Sequence, residues 1–273
     1  MMSSRLTVGS SCKLRRMKKV AVVTGAGRGL GRKIAERISR KGVHVICTDI
    51  DEGAARTTAA IVDGTGLPHD VRDPESHRRV AKAAREIGDI DTWVNNAGVL
   101  SVGDTWALDD TTVRRIVEVN LLGVIWGCHA ALEVMQRGTI LNIASMSALV
   151  PTPGLAVYGA TKHGVLGYSL SLAGELRHAK RPITVSTLCP DAIAGEMTGA
   201  VAHDQSASLL FSSGTLLALD EVADAAVALV ARPKLVRTLP SYRAALAHLI
   251  RPFPALGLPL VAQFAKLGRR RQH

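Results

Sequence analysis

The sequence is poor in cysteine, and its four cysteines form no recognisable metal or disulfide pattern. Cys12, Cys47, Cys128 and Cys189 are scattered along the chain, and no two of them stand in a C-x-x-C pair. Zinc sites and disulfide frameworks are typically marked by closely spaced or regularly paired cysteines. The spacing therefore argues against both, and we expect no metal site and a reducing, cytoplasmic environment.

Long apolar runs are also missing from the sequence. No uninterrupted apolar stretch reaches the roughly 18 to 20 residues that are needed to cross a bilayer. The first nineteen residues are basic and serine-containing, without the apolar segment that a cleavable signal peptide requires. We therefore expect no membrane-spanning helix, and we expect residues 1–17 to form a flexible basic extension.

Acidic residues are absent from both ends of the chain. Residues 1–19 hold six basic residues and residues 225–273 hold nine, so the net charge of +11 leaves residues 20–224 at −4. Aromatic residues, on which single-stranded nucleic acids stack, make up only 3% of the chain. The acidic body and the few aromatics argue against nucleic-acid binding, and we expect no nucleic-acid partner.

What the chain does have is enough apolar residues for a full core. It has 273 residues, of which 47% are hydrophobic, which suits one α/β domain or two smaller domains. No internal repeat or low-complexity block divides it. We favour one domain over residues 18–240, followed by a basic and apolar C-terminal tail over residues 241–273.

A glycine-rich turn follows the first predicted strand. The apolar residues 20–23 run into Gly25, Gly29 and Gly31, which are spaced as G-x-x-x-G-x-G, and then into an amphipathic helix. Glycines let the backbone approach a pyrophosphate, and a helix N-terminus offers free N–H groups. A tight turn alone would also select glycine. Because of its place after the first strand, we interpret the loop, with Arg28 and Leu30, as a dinucleotide cradle.

The second predicted strand ends at an acidic residue that bears on cofactor choice. Asp49 lies about 18 residues after the last glycine of the loop, where a carboxylate can accept hydrogen bonds from the adenosine ribose and repel a 2′-phosphate. Arg28 is an opposing signal, since it could meet a 2′-phosphate, although it could equally be a solvated loop residue. The sequence thus favours NAD, with NADP as the alternative.

Two more strand ends carry candidate cofactor contacts. Asp70 and Val71 follow a short strand near Leu67, and Asp70 could approach the adenine edge or cap the next helix, for which Asp73 is better placed. The fourth strand breaks at small and amide residues, of which we predict Asn96, Ala97 and Gly98 to lie beside the ligand.

Four further residues are candidates for catalysis. Asn120 lies in a long apolar helix predicted over residues 109–135, where a buried amide either satisfies the structure or holds a water. Ser145 follows the fifth strand. Tyr158 and Lys162 stand four residues apart on the next helix, so the ammonium can lie beside the phenol and favour its ionised form. We therefore predict a proton-transfer site at this edge of the sheet.

Taken together, these motifs resemble those of the short-chain dehydrogenase/reductase family. The sequences TGAGRGLG, NNAG and YGATK, with Asp49, Asp70, Asn120 and Ser145 between or after them, occur in the family's order over roughly residues 18–190. The resemblance implies a Rossmann-like, doubly wound α/β fold. Its parallel sheet would have about seven strands with helices on both faces, in a homo-oligomer that is a dimer or tetramer.

The resemblance also implies catalytic roles. Tyr158 would be the general acid and base, Lys162 would lower its pKa and bind the nicotinamide ribose, Ser145 would stabilise the alkoxide, and Asn120 would hold a water. The sequence departs from the family after the sixth strand, where Asp191 replaces a glycine and Gly195 replaces a threonine. Pro190 and the backbone at Ile193 are then the expected nicotinamide contacts.

The remaining segments suggest the substrate and the partners. Residues 191–216 form the expected lid, in which Met197, Leu209, Leu210 and Phe211 offer apolar contacts. We therefore predict an NAD(P)-dependent oxidoreductase that interconverts a lipophilic secondary alcohol and its ketone. The alternative is a non-catalytic dinucleotide sensor or scaffold. The tail either contacts an anionic membrane peripherally or folds over the pocket or a neighbouring subunit.

Overall fold

The computed structural model describes residues 18–250 and 254–272. The predicted extension over residues 1–17 lies outside the described residues. The described part contains one sheet of seven parallel strands in the order β3-β2-β1-β4-β5-β6-β7. The strands are β1 (Lys19–Thr24), β2 (His44–Asp49), β3 (Thr65–Pro68), β4 (Asp89–Asn95), β5 (Gly138–Ile143), β6 (Ile183–Pro190) and β7 (Val236–Leu239).

Helices alternate with the strands, because parallel neighbours must be joined by a crossover of about a dozen residues or more, which is usually a helix. They are α1 (Gly29–Ser39), α2 (Glu52–Ile61), α3 (Pro74–Ile87), α4 (Asp110–Val117), α5 (Gly123–Val134), α6 (Ala156–His178), α7 (Glu196–Gly199), α8 (Leu219–Ala231), α9 (Ser241–Ile250) and α10 (Pro254–Arg269). Single 3₁₀ turns lie at Thr105–Ala107 and Met146–Ala148, and a longer one at Gln205–Phe211. The predicted doubly wound fold of seven strands is confirmed.

Each face of the sheet has its own apolar core. Along β1, Val20 and Val22 pack into one core with α3, α5 and α6, whereas Ala21 and Val23 pack into the other with α1 and α8. Side chains of a strand alternate between its two faces, so a strand that is buried on both faces must be apolar throughout. This explains why a central strand such as β1 appears in the sequence as a continuous apolar run.

The long helix predicted over residues 109–135 is interrupted in its middle. A π-helical turn, Glu118–Leu122, separates α4 from α5 and contains the buried Asn120. π-turns inside α-helices are rare and often lie at functional sites. By length and hydropathy Asp110–Val134 would suffice to cross a membrane. One side of this stretch, however, packs against α3, α6 and β4, which is the position of a core helix in an α/β domain.

From the sequence alone, Pro252, Pro254 and Pro259 are expected to interrupt the helix of the tail, and for residues 254–269 that expectation is wrong. Helix α10 begins at Pro254 and runs through Pro259 to Arg269. Proline is tolerated in the first helical turn because the N–H it lacks would have no partner there. Pro259, one turn further, removes only one backbone hydrogen bond from a helix that packs against the 3₁₀ turn Gln205–Phe211.

Candidate active site

A cavity of about 910 Å³ opens at the carboxyl ends of the parallel strands. Ligands bind at this edge in doubly wound sheets because the connecting loops separate there. The cavity is lined by every residue predicted to contact the cofactor, namely Gly25, Arg28, Gly29, Leu30, Gly31, Asp49, Asp70, Val71, Asn96, Ala97, Gly98, Tyr158, Lys162, Pro190 and Ile193. Ser145 lines it as well, so the predicted proton-transfer and dinucleotide residues share one space.

The glycine-rich loop has the backbone geometry of a phosphate cradle. Gly25 and Gly29 have φ angles of +61° and +54°, and no atom lies within 4 Å of the position that a Cβ on Gly29 would take. Arg28 is the N-cap residue of α1, but its side chain makes no capping hydrogen bond. The first N–H groups of α1 are therefore open to the cavity, and the loop fits a dinucleotide pyrophosphate.

Asn96 holds this loop against the end of β4. Its Nδ2 donates to the carbonyl oxygens of Thr24, at 2.9 Å, and Gly25, at 3.1 Å. Its backbone N–H donates to the Thr24 hydroxyl at 2.9 Å. The amide side chain therefore connects two strand ends and leaves the face of the loop that lines the cavity unblocked.

Asp49 lies beside the glycine-rich loop at the end of β2. Its Oδ2 accepts a hydrogen bond from the Gly27 N–H at 3.0 Å, and its Oδ1 accepts one from the Asp51 N–H at 3.2 Å. Arg28 instead pairs with Glu196 of α7 at 2.9 Å, and both side chains are exposed. Arg28 thus connects the loop to the lid, a role that neither sequence interpretation included.

Asp70 forms an ion pair with Arg72 and does not cap the next helix. Arg72 donates to both of its carboxylate oxygens, and the hydrogen bond lowers the pKa of Asp70. Asp73 caps α3 by accepting from the Glu75 N–H at 2.9 Å, as its position predicted. His69, which the sequence did not single out, also lines the cavity; burial lowers its pKa to about 3, so it is neutral.

The tyrosine, lysine and serine meet at the ends of β5 and β6. Lys162 Nζ lies 5.5 Å from the centre of the Tyr158 ring and donates to the Ile143 carbonyl oxygen at 3.0 Å. Ser145 Oγ accepts from the Ser147 N–H at 3.1 Å, which orients the hydroxyl at the start of its 3₁₀ turn. A phenol, an ammonium and a hydroxyl thus converge on the same part of the cavity.

The pKa values in this cluster follow burial more than charge. Burial raises the pKa of Tyr158 to about 12, while the nearby Ser145 side chain acts in the opposite direction. Burial also lowers the pKa of Lys162 to about 8. The expected lowering of the Tyr158 pKa by Lys162 is not found, because burial of the phenol sets the direction of the shift and Lys162 is not among its causes.

The Asn120 side chain is satisfied by hydrogen bonds within the protein, which is the structural one of the two roles considered for it. Its Oδ1 accepts from the Val99 N–H and its Nδ2 donates to the Val99 carbonyl, both at 2.8 Å. The side chain is fully buried and is not among the residues that line the cavity. It holds the segment after β4, whose Gly98 and Val99 line the cavity; the water-holding role stays a prediction.

The loop after β6 is fixed although it lacks the family's usual residues. Asp191 N–H donates to the Leu239 carbonyl at 2.7 Å, and Ala194 N–H donates to the Leu217 carbonyl at 2.8 Å. Thr198 of α7 is buried and lines the cavity. The loop therefore has a defined path past Pro190 and Ile193.

The lid supplies most, but not all, of its predicted apolar contacts. Met197, Leu209 and Leu210 line the cavity, whereas Phe211 does not. Four lining residues come from the C-terminal helices, which sequence reasoning had treated as a tail: Arg243, Ala247, Val261 and Phe264. The described part of the tail thus folds over the pocket, as one of the two alternatives had it, and peripheral membrane contact stays a prediction. Within residues 18–250 and 254–272, no group of three or more metal-ligating side chains occurs.

Comparisons with known proteins agree with this geometry. The short chain dehydrogenase family model matches residues 19–206. The chain is 37% identical over 215 residues to 3-oxoacyl-(acyl-carrier-protein) reductase FabG of Escherichia coli, covering 76% of this chain and 87% of that protein. It is also 37% identical over 194 residues to a putative ketoacyl reductase of Streptomyces coelicolor, covering 67% of this chain and 74% of that one.

A solved structure supports the fold along nearly the whole chain. A short chain dehydrogenase/reductase from Burkholderia phymatum, in complex with NAD, superimposes with a TM-score of 0.80 at 26% identity. The alignment covers 88% of this chain and 95% of that one.

Proposed function

The chain belongs to the short-chain dehydrogenase/reductase family and is an oxidoreductase acting on CH–OH groups, and from that premise we propose that it reduces a ketone on a lipophilic, acyl-like substrate. The observation that carries the proposal is the convergence of Tyr158, Lys162 and Ser145 on the cavity that also holds the glycine-rich loop. The same convergence argues against a non-catalytic dinucleotide sensor or scaffold, which needs the loop but not the proton donor.

In this proposal, Tyr158 is the acid that protonates the substrate oxygen. A nicotinamide dinucleotide, when bound at the glycine-rich loop, would supply the hydride, for which no side chain of the protein can substitute. Because the Tyr158 pKa is raised to about 12, the phenol carries its proton at neutral pH and can donate it. Ser145 is oriented to hydrogen-bond the oxygen on which negative charge develops.

Lys162 is proposed to hold the cofactor ribose and to support the phenol electrostatically. Its side chain is buried, and its ammonium is already fixed by the Ile143 carbonyl. Such a preorganised cation costs little reorganisation when charge appears on the neighbouring oxygen. Asn120 is proposed to act indirectly, by fixing the segment that contains Val99. We also keep as a proposal that Asn120 holds a water, as the family resemblance implies.

We propose NAD as the cofactor, with NADP as the alternative. The support is Asp49, whose carboxylate is held beside the Gly27 N–H and would repel a 2′-phosphate. Arg28 is the opposing signal, but its guanidinium is directed toward Glu196 of the lid by an exposed ion pair. The neighbour in complex with NAD is consistent with this choice.

The substrate class is proposed from the relatives and from the lining of the cavity. The relatives are named as reductases of 3-oxoacyl and ketoacyl groups, so a 3-oxoacyl thioester is our first candidate. Met197, Leu209 and Leu210 provide an apolar wall for an acyl chain. A free lipophilic secondary alcohol or ketone, as the sequence suggested, is the second candidate, supported by the same apolar lining.

The test is a panel of 3-oxoacyl thioesters and of free lipophilic ketones and alcohols, each assayed with NADH or NAD and with NADPH or NADP. We expect 3-oxoacyl thioester reduction with the highest kcat/KM, and NADH preferred over NADPH. Turnover of free ketones alone would make these, and not 3-oxoacyl thioesters, the substrate class. Dinucleotide binding without turnover of any compound in the panel would favour the non-catalytic sensor. The proposal further expects a cytoplasmic homo-oligomer, a dimer or a tetramer, which light scattering would measure.

A further inference from the structure

The two C-terminal helices are built into the lid rather than appended to the domain. Gly268 of α10 approaches the lid so closely that a Cβ there would lie 1.8 Å from the Ser208 carbonyl oxygen. Arg271 Nη1 donates to the Ser212 carbonyl oxygen at 2.5 Å. Gln272 Nε2 donates to the carbonyl oxygens of Ala202 and Asp204 at 3.1 and 2.9 Å. The end of α10 therefore holds the lid at several points along its length.

A single arginine connects these helices to the loop after β6. Arg243, in the first turn of α9, pairs through Nη1 with the Asp191 carboxylate and donates through Nη2 to the Ser212 hydroxyl at 3.0 Å. Its guanidinium carbon lies 6.0 Å from the centre of the Phe264 ring of α10. One side chain thus contacts the loop after β6, the end of the lid and the last helix.

The pair is mostly buried, which makes it unlike the surface ion pairs of the molecule. The side chains of Arg243 and Asp191 are 19% and 12% exposed, compared with 78% and 73% for Arg28 and Glu196. Ion pairs at exposed sites contribute little, whereas removing one member of a buried pair leaves an uncompensated charge. The Asp191 that departs from the family pattern therefore has a partner outside residues 19–206, the part that the family model matches.

The same helices supply apolar cavity wall. Ala247 is fully buried, Val261 is 4% exposed and Phe264 is partly buried, and all three line the cavity together with the lid residues Leu209 and Leu210. Leu258 also lies on α10, but it is 51% exposed and does not line the cavity. One side of α10 therefore faces the cavity, and the other faces outward.

We propose that α9 and α10 form the specificity-determining wall of the substrate cavity, and that Arg243 is the positioning residue that ties this wall to the loop after β6 through Asp191. In this arrangement, Phe264 and Val261 limit the length of the acyl chain. The chain-length part rests on the proposed function, whereas the role of Arg243 in fixing the wall does not.

Hydrogen–deuterium exchange of the full-length protein tests the positioning role without any substrate. Arg243→Gln should speed amide exchange about tenfold or more over residues 191–195, 205–212 and 261–272, because these segments lose their common partner. Asp191→Asn should do the same, and the double variant should add little, since both singles break one pair. The matched control is Arg270→Gln, which removes an exposed charge from the residue that follows α10. Wild-type exchange in Arg243→Gln, or additive effects in the double variant, would overturn this role.

Chain-length preference tests the wall itself. Phe264→Ala and Val261→Ala should raise the ratio of kcat/KM for long over short 3-oxoacyl thioesters, by about tenfold for Phe264→Ala. Leu258→Ala, on the outward side of α10, should keep the wild-type ratio. An unchanged ratio in Phe264→Ala would overturn the assignment of α10 as the wall. If the wild type turns over no 3-oxoacyl thioester, the proposed substrate fails, and the same variants are then compared on the free ketones that it does reduce.

Discussion

The sharpest structural prediction concerns one methyl group added to the glycine-rich loop. In Gly31→Ala, the new Cβ would lie 2.1 Å from the Gly25 carbonyl oxygen and 2.5 Å from Asn96 Nδ2. Neither neighbour can move cheaply, since one is backbone and the other bridges the Thr24 and Gly25 carbonyls. The loop must therefore shift away from α1.

The size of the effect follows from these contacts. Overpacking in a tight site costs about 1 to 3 kcal/mol, and each displaced Asn96 hydrogen bond adds about 0.5 to 1.5 kcal/mol. With both Asn96 side-chain bonds displaced, a total loss of about 2 to 6 kcal/mol in the free energy of unfolding corresponds to a fall in Tm of about 4 to 24 °C for a chain of this size. The affinity for NAD should fall by more than about tenfold, because the displaced N–H groups no longer converge on one anion.

The chain offers a control with the same chemical change and the opposite expected sign. Gly174 lies inside α6, is exposed, and has no atom within 4 Å of the position of a Cβ. Gly174→Ala should therefore raise Tm by about 1 to 4 °C, because alanine favours the helix by about 0.5 to 1 kcal/mol. It should leave NAD affinity unchanged. Thermal unfolding and NAD titration of both variants provide the test, and wild-type Tm and affinity in Gly31→Ala would refute the reasoning.

The remaining predictions concern the cofactor, the oxyanion and the pH profile. Asp49→Ala should reduce the preference for NADH over NADPH, measured as the ratio of kcat/KM values. An unchanged ratio would show that Asp49 does not set the cofactor preference. Ser145→Ala should lower kcat about 10²- to 10³-fold with little change in NAD affinity, and a near-normal kcat would remove it from the mechanism. Burial lowers the Lys162 pKa to about 8, so the amine loses its charge as pH rises through that value, and kcat/KM for ketone reduction should fall there. A profile that stays flat through this range would contradict the role of the charged amine.

Much of the fold was predictable because the sheet is buried on both faces. Strands such as β1 are continuous apolar runs, and helices such as α3 have both a cap and an apolar stripe, as Asp73 and Val80 illustrate. The location of the site at one edge of the sheet was also predictable, because the strands are parallel. Once the strand ends are known, the parallel arrangement brings Gly29, Asp49 and Ser145 to one side.

What sequence reasoning missed depends on contacts between distant segments. Arg243 and Asp191 are far apart along the chain, and no local pattern marks an arginine that will pair with a loop before it. Helix α10 was missed because its prolines are ordinarily helix breakers, and packing on the lid compensates for Pro259. The raised pKa of Tyr158 was missed because spacing indicates a neighbouring charge but not the depth of burial.

The account depends most on Tyr158 as the proton donor beside the dinucleotide cradle. The most direct measurement is the single-turnover rate of ketone reduction by Tyr158→Phe with NADH bound, together with its NADH dissociation constant. The account predicts that the rate falls by about 10² to 10⁴ while the dissociation constant changes little, because the phenol oxygen serves the substrate and not the pyrophosphate loop. A variant that binds NADH normally and still reduces the ketone at the wild-type rate would contradict it.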